Sequence, residues 1–284
     1  MADKQIYTFS NEIDEVEISS LGAKIFVQSA DGSAIVAEYD NPADKPELCA
    51  VLCGKHLTLK ETPTFKVFTA KHSEDYAITV KLPEKLYKEL KINTASGGVE
   101  ISDSAVTAET LNLNTASGQI EINAFFENAK VKSASGSVHL NNTSDKTAKL
   151  LKVSTASGSV SVENYKAEKY VISSVSGKTT YTGASGEGEI RVTSGTVEVG
   201  YDEWNGDLKI GAISGNVKVT LPAGSGVNVV FDGVSGMVKT DLGGEAGRFI
   251  NLGKGTNGEF GGENKHNASV NTVSGTVTFA QCAE

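Results

Sequence analysis

The stretch Lys152–Val162, KVSTASGSVSV, carries the pattern on which most of the chain is built. Its central Ser-Gly pair recurs at Ser96-Gly97, Ser117-Gly118, Ser135-Gly136, Ser157-Gly158, Ser176-Gly177, Ser194-Gly195, Ser214-Gly215, Ser235-Gly236 and Ser274-Gly275. The steps between successive serines are 21, 18, 22, 19, 18, 20, 21 and 39 residues, and the last is close to two periods. Self-similarity at a fixed period of this size indicates a stacked-repeat protein.

Apolar residues flank each Ser-Gly pair at fixed offsets. Four residues before the serine stand Ile92, Leu113, Val131, Val153, Ile172, Ile190, Ile210, Phe231 and Val270. Three and five residues after it the positions are again mostly apolar, as in Val99 and Ile101 or Val160 and Val162. Apolar residues two apart, rich in β-branched types, are typical of half-buried strands rather than helices. Each repeat therefore predicts a strand, a turn and a second strand.

The Ser-Gly pair itself predicts the turn. Glycine takes positive φ without steric penalty, and a serine hydroxyl can bond to nearby backbone at such a corner. Position minus two, counted from the serine, is small throughout and often Thr or Ser, as at Thr94, Thr115 and Thr155. A column of hydroxyls at this position would order water, as in ice-binding proteins, if it lay on an outward face.

A unit of this length cannot bury an apolar face alone, so the units must stack. Stacking lets each backbone bond to the units above and below it. The predicted fold class is all-β, a right-handed parallel β-solenoid (β-helix) with coils of about 20 residues, because parallel crossovers are nearly always right-handed. A meander or sandwich of antiparallel hairpins remains the alternative.

The chain is predicted to be a single β-solenoid domain over residues 1–284. Residues 1–82 form irregular N-terminal coils or a cap, 83–242 the regular coils, 243–267 a Gly-rich degenerate coil or loop, and 268–284 the last coil and C-terminal end. Within the first segment, Val27, Ser29, Asp31-Gly32, Ala34 and Val36 fit the phases of the repeat. The segment Pro83–Leu90 predicts one or two helical turns, with Pro83 at the first position.

Charge and hydropathy exclude several classes of function. The 284 residues carry a net charge of -9, which argues against nucleic acid and offers no attraction to anionic lipid. No run of 18 apolar residues is present, so we expect no transmembrane segment. The opening MADKQIYTFS has no apolar signal core. As written, the chain is expected to be cytoplasmic, and exported or at the cell surface if a leader had been removed.

The three cysteines predict neither a disulfide framework nor a metal site. Cys49 and Cys53 lie four apart on a probable strand, about 13 Å along it, which is too far for a disulfide without a bend. With His56 they have loosely metal-like spacing, but a zinc site needs a fourth ligand. We therefore expect buried thiols in irregular coils.

Three phrases resemble a bacterial family. They are Ile78–Pro83 (ITVKLP), Leu90–Ile101 (LKINTASGGVEI) and Val270–Phe279 (VNTVSGTVTF), and they are similar to the T-x-S-G-x-V-x-V repeats of the putative-adhesin domain of unknown function. The likeness covers most of the chain, best from about residue 75 onward, and extends to autotransporter-adhesin head domains. The resemblance implies a parallel β-helix, a non-enzymatic surface or scaffold role, and no known catalytic residues.

One outward column carries candidate chemistry. Four residues after the serine stand Glu100, Glu121 and His139, which would stack on adjacent coils, close enough to share a metal ion or perturb each other's pKa. The alternative is a solvated face whose polar residues simply alternate with buried ones. No catalytic, cofactor-binding or metal-binding residue is assigned, and no cofactor is predicted.

These observations favour a non-catalytic β-solenoid scaffold or binding module, adhesin-like, with an unknown protein or glycan partner. One alternative is a carbohydrate-active enzyme that uses the outward Glu100, Glu121 and His139. A second alternative is a structural protein that assembles end to end, because the open ends of a solenoid invite self-association.

Overall fold

The computed structural model describes residues 3–41, 46–63, 76–242, 249–250 and 256–282. The chain divides into two compact units, Met1–Asp145 and Lys146–Glu284. Regular structure in the described residues consists of strands, which confirms the all-β class. The same residues include no helix of the length and apolarity that crossing a bilayer requires. The predicted subdivision at residues 82, 242 and 267 stays a prediction.

The first unit contains strands β1 to β13. They are β1 (Asp3–Phe9), β2 (Glu15–Ser20), β3 (Lys24–Ala30), β4 (Ile35–Asn41), β5 (Glu47–Cys53), β6 (His56–Thr62), β7 (Ala77–Pro83), β8 (Leu86–Thr94), β9 (Val99–Ile101), β10 (Thr107–Thr115), β11 (Ile120–Ile122), β12 (Phe126–Ser133) and β13 (Val138–Asn141). In one sheet the order is β1-β4-β7-β3-β9-β11-β13, and in the other it is β12-β10-β8-β2-β6-β5.

The second unit contains strands β14 to β27. They are β14 (Ala148–Thr155), β15 (Val160–Glu163), β16 (Ala167–Ser174), β17 (Lys178–Ala184), β18 (Glu187–Val192), β19 (Thr196–Tyr201), β20 (Leu208–Ala212), β21 (Asn216–Leu221), β22 (Ser225–Gly233), β23 (Met237–Asp241), β24 (Phe249–Ile250), β25 (Thr256–Gly261), β26 (Asn264–Thr272) and β27 (Thr276–Gln281). One sheet runs β15-β17-β19-β21-β27-β23-β24 and the other β14-β16-β18-β20-β26-β22-β25.

The repeats stack in parallel with their phases aligned. Leu113 pairs with Ile92 on one side and with Val131 on the other, so position minus four is a continuous column. Ile120 likewise pairs with Val99 and Val138. These residues are almost fully buried, because alternate side chains of a strand point to one face. The antiparallel alternative is therefore wrong for the repeats, and the mostly parallel sheets are confirmed.

The last repeat in the sequence is not the last in the stack. Strand β26 pairs with both β20 and β22, and β27 pairs with both β21 and β23. The coil of Ser274 therefore lies between the coils of Ser214 and Ser235. The Gly-rich segment supplies β24 and β25, which pair antiparallel with β23 and β22. Residues 243–248 and 251–255 of that segment lie outside the described residues.

The first coil in the sequence is likewise inserted between strands that come later in the chain. Strand β2 pairs with β6 and β8, and β3 pairs with β7 and β9, all in parallel. The corner of this coil is Gly22-Ala23, because Ile25 and Val27 pair with Val99 and Ile101. The expectation that Asp31-Gly32 is a corner of the stack was wrong. The next strand, β4, instead pairs antiparallel with β7 and β1.

The segment Pro83–Leu90 is not helical. Strand β7 ends at Pro83 and β8 begins at Leu86, and β8 pairs in parallel with β10 and β2. Tyr87 and Leu90 are buried while Leu86 is exposed. Ladder hydrogen bonds on both sides outweigh the local helical preference, which is weak over eight residues.

Glycine is required at the corners because successive corners almost touch. A Cβ on Gly177 would lie 2.1 Å from the carbonyl oxygen of Gly158, and one on Gly275 would lie 2.2 Å from that of Gly215. Positive φ, the predicted reason, applies within the repeat to Gly118, Gly136, Gly158 and Gly177. The close approach of backbone to backbone explains Gly97, Gly195 and Gly275. At Gly215 and Gly236 the nearest atoms to a Cβ are side-chain carbons of Val192 and Thr272.

The corner hydroxyls bond to backbone, as expected. The Ser194 Oγ donates to the carbonyl of Val175 in the adjacent coil at 3.1 Å, and Ser235 Oγ donates to Val273 at 2.9 Å. At position minus two, Thr115 Oγ1 donates to the carbonyl of Ser117 at 2.8 Å and is buried. An outward, water-ordering column at position minus two is therefore excluded for the buried members Thr94, Thr115, Ser133, Thr155, Ser174 and Thr272.

A buried glutamate completes the corner of the first coil. Elsewhere the corner N–H groups bond to the neighbouring coil, as Ala116 N does to the Thr94 carbonyl at 3.2 Å. At the first coil, Leu21 N and Gly22 N donate instead to Glu61 Oε2, at 2.5 and 3.3 Å. The Ser20 hydroxyl donates to the same oxygen at 2.9 Å. Glu61 thus satisfies donors that would otherwise lack a partner.

Candidate functional site

Four outward side chains form a row across neighbouring strands of the first unit. Phe26 of β3 pairs with Glu100 of β9, Glu100 pairs with Glu121 of β11, and Glu121 pairs with His139 of β13. Adjacent strands lie about 4.8 Å apart. All four side chains are partly exposed. We call this row, Phe26, Glu100, Glu121 and His139, the outward column.

The structure therefore brings together the three residues predicted from the sequence, in the predicted order. It adds Phe26, which the sequence analysis missed because the first coil has Gly22-Ala23 where the others have Ser-Gly. The apolar Ile25 and Val27, two apart and just after a glycine, were the signal that would have found it. A role for Glu100, Glu121 and His139 in binding stays a prediction.

Lys24 contacts both the Phe26 ring and the Glu100 carboxylate. Its Nζ lies 3.0 Å from Glu100 Oε2 and 4.4 Å from the centroid of the Phe26 ring. A cation at this distance is attracted to the ring face as well as to the carboxylate. Lys24 remains exposed, so its other hydrogen atoms can be donated to a ligand.

A shallow cleft of about 330 Å³ opens beside the outward column. Gly98 lies in its floor between Lys24 and Gln119, and Glu100 and Glu121 form one wall. The Ile25 N–H donates to the Gly98 carbonyl and the Val99 N–H to the Gln119 carbonyl, at 2.8 Å each, so the floor is fixed by the ladder. A Cβ on Gly98 would lie 3.1 Å from the Gln119 carbonyl oxygen and 3.7 Å from the Lys24 side chain, so a larger residue there would narrow the cleft.

The second carboxylate accepts a hydrogen bond from the residue that follows its strand. The Asn123 side-chain amide donates to Glu121 Oε1 at 3.4 Å. The cleft thus offers a cation, an amide and two carboxylates, and the Phe26 ring lies beside its Lys24. Nowhere in the described part of the chain do three or more His, Cys, Asp or Glu side chains come together in a way that would hold a metal ion.

The cysteines lie elsewhere and differ from expectation. Cys49, Cys53 and Cys282 are free and exposed, so the prediction of buried thiols was wrong. Cys49 and Cys53 belong to β5, whose odd-numbered residues pair with the outward-facing Lys60, Thr58 and His56 of β6. They point away from the core because the even-numbered Leu48 pairs with the buried Glu61.

A buried aromatic group in the second unit has a structural role. Tyr170 and Tyr201 share a hydrogen bond between their hydroxyls, and Tyr181 packs edge-on against Tyr170 with centroids 5.1 Å apart. Burial raises the pKa of all three phenols above the usual value. They stay neutral over the physiological range and pack as core residues.

Comparison with known proteins relates the chain to one domain family and to solved structures of similar fold. A family profile described as Toastrack DUF4097 matches residues 13–279. None of the curated proteins compared with the chain matches it. Among solved structures, a putative adhesin from Bacteroides fragilis is 16% identical with a TM-score of 0.50, covering 98% of this chain and 97% of that one. This likeness shows a shared fold.

Two further structures are similar over the same extent. A putative lipid binding protein from Parabacteroides distasonis is 16% identical, covers 98% of this chain and 96% of that one, and has a TM-score of 0.47. A putative adhesin from the same species is 14% identical, covers 98% and 97%, and has a TM-score of 0.45.

Proposed function

The chain belongs to the Toastrack DUF4097 family, and we propose that it is a non-catalytic, adhesin-like binding module on a right-handed parallel β-solenoid. The aligned parallel registers support the solenoid, and the preference of parallel crossovers supports its hand. The putative adhesin that shares the fold with a TM-score of 0.50 supports a binding role. A cytoplasmic location for the chain as written stays a prediction.

We propose further that the ligand is a glycan bound at the outward column. The single observation that carries this is the Phe26 ring in line with Glu100 and Glu121, with Lys24 and Gln119 at the adjoining cleft. A sugar presents C–H groups that pack on an aromatic face and hydroxyls that bond to charged side chains. Hydrogen bonds in which one partner is ionised are the stronger ones.

The same carboxylates favour binding over hydrolysis. A glycosidase needs one protonated carboxylic acid and one ionised carboxylate on either side of the scissile bond. Glu100 is held as an ion pair with Lys24, and both glutamates lie on an open, solvated face. Neither glutamate lies in the apolar, desolvated surrounding in which a glycosidase holds its acid.

A glycan array followed by calorimetry on the best ligand tests the proposal. We expect Phe26→Ala and Glu100→Gln each to weaken binding about tenfold, or about 1.4 kcal/mol. The matched control is Glu198→Gln. Glu198 occupies the same phase in the second unit and pairs with Lys178 at 3.1 Å, as Glu100 does with Lys24 at 3.0 Å. Loss of the Glu198 charge should leave the affinity for the glycan unchanged.

Three outcomes would contradict the proposal. The array would bind no glycan, or Phe26→Ala and Glu100→Gln would leave the affinity for the best glycan intact. In the third, the bound glycan would be shortened during incubation, with release of new reducing ends that Glu121→Gln abolishes. That last result would support the carbohydrate-active enzyme instead.

A further inference from the structure

Strand β5 is an exposed sheet edge with apolar side chains. Among the described residues it ends its sheet, with β6 as its one strand partner. Val51 is 53% exposed and Leu52 is 48% exposed. Edges of this kind are templates for pairing with another strand, and natural sheets usually protect them with charge, proline or bulges. The sequence of β5, ELCAVLC, has one charged residue at its start and no proline.

The two cysteines of β5 stand symmetrically about Val51. Cys49 precedes it by two residues and Cys53 follows it by two, so all three side chains point to the same outer face. The thiols are about 13 Å apart along the strand, whereas a disulfide needs Cα atoms about 4.4–6.8 Å apart. The two cysteines of one chain therefore cannot bond to each other while β5 is a strand.

We propose that β5 pairs antiparallel with β5 of a second copy of this chain, about a two-fold axis at Val51. In this register Cys49 lies opposite Cys53 of the second copy, and Cys53 lies opposite Cys49 of the second copy. A two-fold interface uses the same patch on both chains, and the spacing of these residues is self-complementary about that axis.

Backbone hydrogen bonding is compatible with the register. Residues Gly54 and Lys55 form a two-residue turn, and the closing pair Cys53 and His56 exchanges backbone bonds within the hairpin. By alternation, Ala50 and Leu52 direct their N–H and C=O groups away from β6. These two residues would bond to Leu52 and Ala50 of the second copy. Cys49 and Cys53 then occupy a non-hydrogen-bonded pair, whose Cα separation of about 4.5 Å suits a disulfide.

Tyr7 limits the paired segment at one end. Its hydroxyl donates to the Leu48 carbonyl at 2.8 Å, so this carbonyl already has a partner on the open side of β5. The segment left for pairing is Cys49–Cys53, with Val51 at its centre. A register centred on any other residue would pair fewer of these backbone groups.

Oxidation would lock the dimer with two disulfides. A small-molecule disulfide such as oxidised glutathione supplies the oxidant. For each bond, one protein thiolate attacks the small disulfide and releases one glutathione, and the opposing protein thiolate then displaces the second. The protein gains one disulfide, and two reduced glutathiones leave with the two thiol protons. Without oxidant, the short strand and the burial of Val51 and Leu52 support only weak association.

The test uses full-length protein with Cys282→Ser throughout, in about 0.15 M salt so that the two acidic chains do not repel strongly. Four samples are oxidised with glutathione disulfide. They are the parent, Cys49→Ser, Cys53→Ser and an equimolar mixture of the two single variants, one of which is tagged. Non-reducing electrophoresis and peptide mapping follow. We expect the parent to form dimers with Cys49–Cys53 bonds and each single variant to stay monomeric. We expect the mixture to form the heterodimer alone, through its one remaining cysteine pair.

A second comparison tests the strand pairing itself. Val51→Lys sets two like charges face to face across the axis and should slow dimer formation at least tenfold. Leu86→Lys, a change at an equally exposed apolar residue on β8, should not. The proposal is overturned if the parent does not dimerise, if single variants cross-link as fast as the mixture, or if Val51→Lys and Leu86→Lys behave alike.

Discussion

The carbonyl oxygen of Gly118 lies 2.2 Å from the point that a Cβ on Gly136 would occupy. The two glycines are the corners of adjacent coils, and the serines beside them are tied to the neighbouring backbone by hydrogen bonds. The separation of the coils is set by the strand ladder, at about 4.8 Å. A side chain at this corner would therefore oppose the hydrogen bonds of the strands on either side.

We expect Gly136→Ala to lower the free energy of unfolding by about 3 kcal/mol or more. Gly136 has a φ of +117°, which a residue with a Cβ adopts only with strain. The added methyl group would also meet the Gly118 backbone, which cannot rotate away as a side chain can. Urea denaturation followed by circular dichroism measures the change.

Gly32→Ala is the matched control. Gly32 also lies in a turn of the first unit, but nothing stands within 4 Å of its missing Cβ and its φ is not in the left-handed region. Its replacement should leave stability within about 0.5 kcal/mol. Equal effects of the two substitutions would show that the close approach at the corners is not what requires glycine.

We expect Glu61→Leu to cost about 3 kcal/mol or more, because it leaves the backbone donors of Leu21 and Gly22 without an acceptor and leaves the Ser20 hydroxyl only the Ala23 carbonyl. Glu61 is 2% exposed and accepts all three at one carboxylate oxygen. Glu61→Gln keeps a neutral acceptor and should cost less. Thermal and urea unfolding of the two variants show which of them is less stable.

Glu109→Gln, an exposed change on β10 of the same unit, is the control for charge alone. If Glu61→Leu were no more damaging than Glu109→Gln, Glu61 would not complete the first corner. The buried Tyr39 and Tyr76 give a second readout. Burial, with the Glu61 carboxylate nearby, raises the pKa of both phenols. Glu61→Leu should let them ionise at lower pH.

Asp103 should make the first unit more stable at neutral than at acid pH. The Ser29 hydroxyl and the Ala105 N–H donate to its carboxylate and lower its pKa below the usual value. A carboxyl whose pKa is lowered in the folded state stabilises that state above the unfolded pKa of about 3.9. The contribution is lost as the pH falls through the folded pKa.

Asp103→Asn should therefore be destabilising at pH 7 and should approach wild-type stability below about pH 3. Ser29→Ala removes the largest cause of the shift, so in that background the Asp103→Asn substitution should cost less at pH 7. Urea midpoints at pH 7, 5 and 3 give both comparisons. A stability difference between the wild-type chain and the Asp103→Asn variant that did not vary with pH would refute the linkage.

The sequence predicts the repeat well because each coil contains the residues that determine its own strands and turn. The buried phases, as at Ile92 and Val99, and the turn at each Ser-Gly pair depend on local periodicity and turn chemistry. The order of the coils is different. The coil of Ser274 would satisfy the same local pattern at either side of the coil of Ser235, so its place is decided by the long-range pairing of β26 and β27.

The candidate site was also predictable from the sequence only in part. Glu100, Glu121 and His139 follow from the repeat, and their alignment needs only that consecutive coils stack. Phe26 and Lys24 enter the site through a coil without the Ser-Gly pair, which lies out of sequence order. The exposure of Cys49 and Cys53 depends on β5 being the outer strand of a hairpin, which no local pattern specifies.

The placement of β26 and β27 has a consequence for how the second unit forms on the ribosome. Residues 225–241 emerge first, yet their neighbours on the inner side are strands that are translated afterwards. Strand β22, which carries the buried Val227 and Val229, lacks its parallel partner β26 until residues 264–272 have emerged. Completion of this stack is therefore a late event in synthesis, and a chain stalled before residue 264 lacks the two strands that separate β20 from β22 and β21 from β23.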